Sequence, residues 1–128
     1  NFNARNLSRE LFSDKLDGAV IDVSFISLTY ILGAVSGVLE EGGEVLALIK
    51  PQFECESKKV GKNGIVKDEK QRLNAVQKIY NFAISVCLSP VQLTAAPVVK
   101  GKNIEYILLM KKGVKAEQLN NILKSALI

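Results

Sequence analysis

The sequence predicts an α/β fold with a mainly parallel sheet whose last strand runs antiparallel. Short apolar runs alternate with longer segments whose apolar residues recur every three or four positions, which is typical of strands alternating with helices. Two of the runs stop at a charged residue, Asp22 and Lys50, as buried parallel strands do when they carry polar groups to a sheet edge. The last two strands are joined by a connection too short for a crossover helix, so they must pair antiparallel.

The first half of the chain is predicted to contain a helix, a strand and a second helix. Residues 7–12 indicate a short helix, and residues 19–23 form an apolar strand. The second helix begins after Ser27, a plausible N-cap, and Gly42–Gly43 is expected to end it because glycine accepts the left-handed backbone of a helix C-terminus. Its apolar residues have helical spacing: Leu28, Ile31, Leu32, Val35, Val38 and Leu39.

The second half continues the alternation. It is predicted to contain a strand at 45–49, a polar loop at 54–67, a helix at 68–86, strands at 91–95 and 104–110, and an amphipathic helix through 119–126. Pro51 stops the first of these strands, because proline cannot donate to a ladder. Asp68 with Gln71 gives the 68–86 helix a capping-box-like start. The helical face of that segment is expected to carry Leu73, Val76, Tyr80, Ala83 and Cys87.

Composition excludes several classes of protein. The 128 residues suffice for one domain, and no apolar run reaches the ~18–20 residues that span a bilayer. The absence of histidine removes Ser-His and Cys-His nucleophiles and most zinc sites. Cys55 and Cys87 form no CxxC motif, so we expect reduced thiols and a cytoplasmic location.

The charge is mildly basic, and its distribution is uneven. The chain has 17 Lys+Arg against 13 Asp+Glu, a net charge of +4. The basic residues crowd two segments, one with Lys58, Lys59, Lys62, Lys67, Lys70 and Arg72, the other with Lys100 and Lys102. Two interpretations stay open: charge solvated on loops, or contacts to nucleic-acid phosphates.

Three charged side chains are predicted to meet at one rim of the sheet. Asp22 and Lys50 lie at the carboxyl ends of parallel strands, and Glu105 lies at the amino end of the antiparallel strand. If the last strand inserts beside the Lys50 strand, Lys50 lies between two carboxylates, with neighbouring strands ~4.8 Å apart. Such a lysine is favoured as the cation. It could close the sheet edge as an ion-pair network or act in catalysis.

At these residues the sequence resembles a known family. The motifs are Asp-Val-Ser-Phe-Ile-Ser at 22–27, Lys-Pro-Gln-Phe-Glu at 50–54, Gly-Ile-Val-Lys-Asp at 64–68 and Lys-Asn-Ile-Glu-Tyr at 102–106. In this order they resemble the TlyA/haemolysin-A-type ribosomal RNA 2′-O-methyltransferases, relatives of the FtsJ-like (RrmJ) enzymes. The resemblance implies a Rossmann-like fold, S-adenosylmethionine as cofactor, and ribosomal RNA or a ribosomal subunit as partner, with no metal and no membrane.

The resemblance also implies roles for individual residues. Asp22, Lys50 and Glu105 match the second, third and fourth members of the family's Lys-Asp-Lys-Glu tetrad, and Asp22 and Val23 would lie near the cofactor methyl. The implied RNA-binding residues are Lys58, Lys59, Lys62, Lys67, Arg72, Lys100 and Lys102. Two positions depart from the family pattern: Lys67 stands where arginine is usual, and the loop at 96–101 is atypical.

The family's first lysine, its glycine-rich cofactor loop and its S4-like RNA-binding domain match nothing in the 128 residues, which contain no GxG. Residues 1–128 are therefore expected to be the C-terminal portion of an FtsJ-like methyltransferase domain, inactive alone. The strand before Asp22 would then be an uncovered sheet edge, which favours self-association. Two alternatives to the enzyme remain, a membrane-active haemolysin or cytotoxin and a non-catalytic RNA-binding module.

Overall fold

A computed structural model describes residues 16–56, 58, 60, 61 and 63–126 as one sheet with helices packed against it. The strands are β1 (Leu16–Ile21), β2 (Leu39–Ile49), β3 (Leu88–Ala95) and β4 (Tyr106–Lys112). The helices are α1 (Leu32–Val38), preceded by a 3-10 turn (Leu28–Tyr30), α2 (Pro51–Glu54), α3 (Glu69–Ser85) and α4 (Leu119–Lys124). The helix predicted at 7–12 lies outside the described residues.

The strand order is β1-β2-β4-β3. β1 and β2 are parallel, and β4 is antiparallel to both β2 and β3. The predicted antiparallel last strand is therefore confirmed, and it does insert beside the strand that ends at Lys50. The pairing of Ile49 with Tyr106 brings Lys50, the residue that follows β2, level with Glu105.

The core lies on one face of this sheet. Val45, Ala47 and Ile49, alternate residues of β2, are buried in one apolar cluster with residues of α1, α3 and α4. Side chains on the opposite face are more open, with Val20 80% and Leu46 41% exposed. β1 pairs only with β2 within the described sheet, so its outer edge is free there.

The prediction that Gly42–Gly43 ends the second helix is wrong. α1 ends at Val38, and the glycine pair lies inside β2. Leu16 of β1 pairs with Leu39 of β2, but Gly18, two residues on, pairs with Glu44, five residues on. The extra residues of β2 form a bulge at the glycines. Gly42 has φ +81°, and a Cβ on Gly43 would lie 2.6 Å from Leu39 Cγ. The two glycines thus permit a bulge rather than a helix cap.

The N-cap predictions are confirmed in part, because Ser27 caps the 3-10 turn rather than α1 and only the Asp68 half of the capping box forms. The Ser27 hydroxyl accepts a hydrogen bond from the Thr29 N–H at the 3-10 turn, and the Asp68 carboxylate accepts one from the Lys70 N–H at the start of α3. The buried face of α3 differs from the predicted one. It carries Arg72, Ala75, Val76, Ile79 and Ala83. Val76 and Ala83 are therefore as predicted, whereas Leu73 and Tyr80 are only partly buried and Cys87 lies beyond the helix and is exposed.

Candidate active site

Asp22 and Lys50 meet at the rim where β1 and β2 end. Lys50 Nζ lies 2.6 Å from Asp22 Oδ1 and donates a second hydrogen bond to Ser24 Oγ at 3.2 Å. The Lys50 side chain is 14% exposed and the Asp22 side chain 59% exposed. Within the described part of the chain these are the only partners of the ammonium, so its third N–H stays available to a ligand.

Glu105 lies on the other side of Lys50 but is held by a different residue. Gln52, in α2, donates from Nε2 to Glu105 Oε2 at 3.0 Å, and no ion pair joins Lys50 to Glu105. The other amide atom, Gln52 Oε1, is buried without a donor among the described residues. Gln52 and Glu105 line a cavity of about 320 Å³ whose other wall is the loop before β4, including Pro97, Val99 and Lys102.

An aromatic pair formed by exposed Phe25 and half-buried Phe53 lies next to this rim. The ring centroids of Phe25 and Phe53 are 5.0 Å apart, with the ring planes tilted by 50°. Phe25 is 89% exposed, and its φ of 65° is unusual for a residue that is not glycine. Strained backbone of this kind clusters at functional sites, and the ring offers an open apolar face beside Ser24.

The two basic segments are tied together by Asn103. Its Nδ2 donates to the Gly64 carbonyl at 2.8 Å, and its Oδ1 accepts from the Val66 N–H at 2.9 Å. The loop that precedes Glu105 is thereby fixed to the loop that follows α2. The sequence analysis did not single out Asn103, Gln52 or Phe25. All three lie within the motifs that carry the family resemblance, and that position was the signal that could have identified them.

The candidate RNA-binding residues fall into three groups. Lys67, Lys100 and Lys102 are exposed, and exposed Lys58 pairs with Glu56 at 3.4 Å on the surface. Lys59 and Lys62 lie outside the described residues. The remaining candidate, Arg72, is buried.

Arg72 serves the fold. Its exposure is 9%, and it donates from Nε to Tyr106 Oη at 3.3 Å and from an Nη to the Lys67 carbonyl at 3.0 Å. A guanidinium held in this way ties the end of the basic loop to β4. Arg72 shares one face of α3 with the apolar residues Val76, Ile79 and Ala83. This helical spacing is the sequence signal that distinguishes Arg72 from the candidate lysines.

Cys55 lacks the features of a nucleophile. Burial raises the pKa of its thiol, which reduces the thiolate fraction at neutral pH, and Sγ contacts the Gln71 carbonyl at 3.6 Å. The described residues contain no group of three or more His, Cys, Asp or Glu that could hold a metal ion. Across the same residues, no helix has both the length and the apolar character needed to cross a bilayer.

Asp22 and Val23, the two residues expected to lie near a cofactor, differ in burial. Asp22 is largely exposed at the end of β1, beside the lysine, and half-buried Val23 packs on the core beneath it. A glycine-rich turn, which such cofactors generally need for close backbone approach, is not part of the sequence.

Comparison with known proteins finds relatives that share the fold and part of the sequence of this chain. A crystal structure of a Lactococcus lactis protein that carries a hemolysin name superposes with a TM-score of 0.85 and 38% identity, covering 96% of this chain and 62% of that one. The 16S/23S rRNA (cytidine-2'-O)-methyltransferase TlyA of Mycobacterium tuberculosis is 34% identical over 110 residues, 85% of this chain and 41% of the relative. The chain spans less than half the length of the curated relatives it matches.

The open mixed sheet is that of S-adenosylmethionine-dependent methyltransferases. A Methanosarcina mazei enzyme of that class shares the fold with a TM-score of 0.54 at 14% identity, covering 91% of this chain and 66% of that one. The profile of the FtsJ-like methyltransferases matches residues 1–112. The chain belongs to the FtsJ-like methyltransferase family.

Proposed function

We propose that this chain contributes to S-adenosylmethionine-dependent 2′-O-methylation of ribose in ribosomal RNA. The observation that best supports this proposal is the fixed ammonium group and nearly buried side chain of Lys50. Its ammonium is fixed by Asp22 and Ser24, its side chain is 14% exposed, and one N–H lacks a partner among the described residues. A ribose hydroxyl is a weak nucleophile, and a fixed cation of this kind is what its oxygen requires.

The proposed chemistry assigns a task to each rim residue. When bound, S-adenosylmethionine supplies a methyl group on a sulfonium centre. Lys50 would bind the 2′-oxygen and stabilise the negative charge that develops on it as the hydroxyl proton passes to solvent water, while the bond from this oxygen to the methyl carbon forms and the carbon–sulfur bond breaks. Asp22 orients Lys50 and, with Val23, lies beside the cofactor, while Glu105 bounds the site on the β4 side. Because the sequence has no GxG, the rest of the cofactor site is proposed to lie outside these residues.

The RNA strand is proposed to cross the same rim. Lys58, Lys67, Lys100 and Lys102 would bind phosphates, and Lys59 and Lys62 stay in this proposal. Arg72 is omitted, since it is buried and donates two hydrogen bonds inside the fold. Phosphate contacts of this kind position the strand without reading its sequence.

A labelling experiment tests the proposed reaction. The full-length gene product is incubated with S-adenosylmethionine labelled in the methyl group and with ribosomal subunits or deproteinised rRNA. We expect label in a dinucleotide that resists alkaline hydrolysis, because a 2′-O-methyl group blocks attack by that oxygen. The 128-residue chain alone should transfer no label. Label on a base, or salt-dependent RNA binding without methyl transfer, would contradict the proposal.

Replacing Phe25 with alanine should weaken RNA binding about 5- to 150-fold, since stacking of one base on an aromatic ring contributes about 1–3 kcal/mol. Affinity is measured by fluorescence anisotropy at fixed salt with full-length protein. Tyr30→Ala is the matched control, because Tyr30 is 63% exposed but has no ring contact among the described residues. Equal losses in the two variants would rule out a stacking role for Phe25.

A further inference from the structure

We propose that Glu54 is a positioning residue for methyl transfer. Its carboxylate fixes the segment that carries Asp22 against the short helix that follows Lys50. This inference rests on the proposed function. Glu54 is the last residue of α2 and closes the motif that begins at Lys50, and its side chain is only 2% exposed.

The Glu54 carboxylate joins three parts of the fold. Oε1 accepts a hydrogen bond from Ser27 Oγ at 2.5 Å, and Oε2 accepts one from the Leu28 N–H at 2.9 Å. Lys78 of α3 supplies the countercharge, with Nζ 3.1 Å from Oε1 and 3.0 Å from the Glu54 carbonyl. A buried carboxylate is tolerated when it has a cation and hydrogen-bond donors, and Glu54 has both.

The same two segments meet at their other ends in the candidate active site. Asp22 and Ser24 contact Lys50, Phe25 packs on Phe53, and residues 27–28 bind Glu54. The segments therefore lie side by side from the rim to the core. Glu54 is the buried end of this arrangement, and Lys50 is the end that would act on substrate.

A comparison of the anchors explains why the site needs Glu54. The Asp22 side chain is 59% exposed, and an ion pair with one partner in water holds geometry weakly. The Phe25 ring is 89% exposed and restrains its segment from one side only. The two hydrogen bonds to Glu54 are charge-assisted, and the carboxylate that accepts them is only 2% exposed, which makes them the strongest restraint on the segment.

The first variant is Glu54→Gln in the full-length gene product. Glutamine keeps the side-chain volume but replaces one acceptor oxygen with an NH₂ donor. In one orientation this donor faces the Leu28 N–H, and in the other it faces the Ser27 and Lys78 donors, so one set of contacts is lost. We expect kcat to fall roughly 10- to 100-fold, because small displacements of reacting groups are costly, with KM for RNA and S-adenosylmethionine changed less than about threefold. Glu56→Gln, an exposed neighbour in a surface ion pair, should leave kcat unchanged.

Two further variants separate positioning from stability. Lys78→Met removes the countercharge but leaves the hydrogen bonds to Ser27 and Leu28, so it should lower Tm while kcat at a temperature where the protein stays folded remains near wild type. Ser27→Ala removes one of the two hydrogen bonds and should lower kcat by an intermediate factor. It keeps the inference testable if Glu54→Gln fails to fold. A kcat that follows Tm across all three variants would overturn the inference.

A spectroscopic readout is independent of turnover. In ¹⁵N-labelled protein the amide signals of residues 22–28 should shift in Glu54→Gln and stay in place in Glu56→Gln. Unshifted signals, or a kcat within twofold of an active wild type, would overturn the role of Glu54. A wild-type protein that methylates no ribose overturns the proposed function instead, so the two failures are distinguishable.

Discussion

Replacing Lys50 with alanine is expected to reduce methyl transfer by the full-length gene product by about 100- to 1,000-fold, the usual effect of removing one preorganised donor from a developing oxyanion. The fold should survive. The substitution removes the ion pair with Asp22, which is 59% exposed, and the hydrogen bond to Ser24. An ion pair with so exposed a partner is worth about 0–1 kcal/mol.

The measurement is a single-turnover methylation assay, with circular dichroism to verify folding. Lys124→Ala, at an exposed lysine in the last turn of α4, serves as the control for loss of one positive charge. Lys50→Arg should also be impaired, because a planar guanidinium does not reproduce the compact ammonium. Activity of Lys50→Ala above about a tenth of wild type would remove Lys50 from the proposed mechanism.

The sequence predicted the backbone at this site better than the side-chain contacts. The polarity pattern of the strands placed Asp22, Lys50 and Glu105 on one rim, and the strand order agrees. Lys50 nevertheless pairs with Asp22 and not with Glu105, because Gln52 holds the Glu105 carboxylate. The difference depends on the single turn of helix that begins at Pro51, and a four-residue helix is too short to leave a periodic pattern.

Local sequence signals were ambiguous where tertiary packing decided the outcome. A glycine pair after an apolar helical segment usually marks a C-cap, but here Leu39 is already extended and the glycines form a bulge that β1 accommodates. Arg72 looked like part of a basic cluster because its neighbours in sequence are lysines. Only its place on the buried face of α3, opposite Tyr106, distinguishes it.

A second substitution with a large expected effect lies in the apolar core, which covers one face of the sheet. Leu108→Ala should lower the free energy of unfolding by about 2–5 kcal/mol, because the smaller side chain leaves a cavity in a packed interior. Leu108 is 0% exposed on β4, the strand between β2 and β3. Urea denaturation of the 128-residue chain, followed by circular dichroism, measures the change in the free energy of unfolding. An unaltered slope of this free energy against urea concentration would show that the unfolded state is the same in both proteins.

Leu46→Ala is the matched comparison, since it deletes the same atoms from the adjacent strand. Leu46 pairs with Leu109, the neighbour of Leu108, and therefore lies on the opposite face of the sheet, where it is 41% exposed. Its replacement should cost less than about 1 kcal/mol, because little apolar surface leaves contact with protein. Equal losses of stability at the two leucines would mean that the open face is covered in solution, by a second copy or by residues outside the described part of the chain. A several-fold larger loss at Leu108 would establish that helices cover only the face that carries Val45, Ala47 and Ile49.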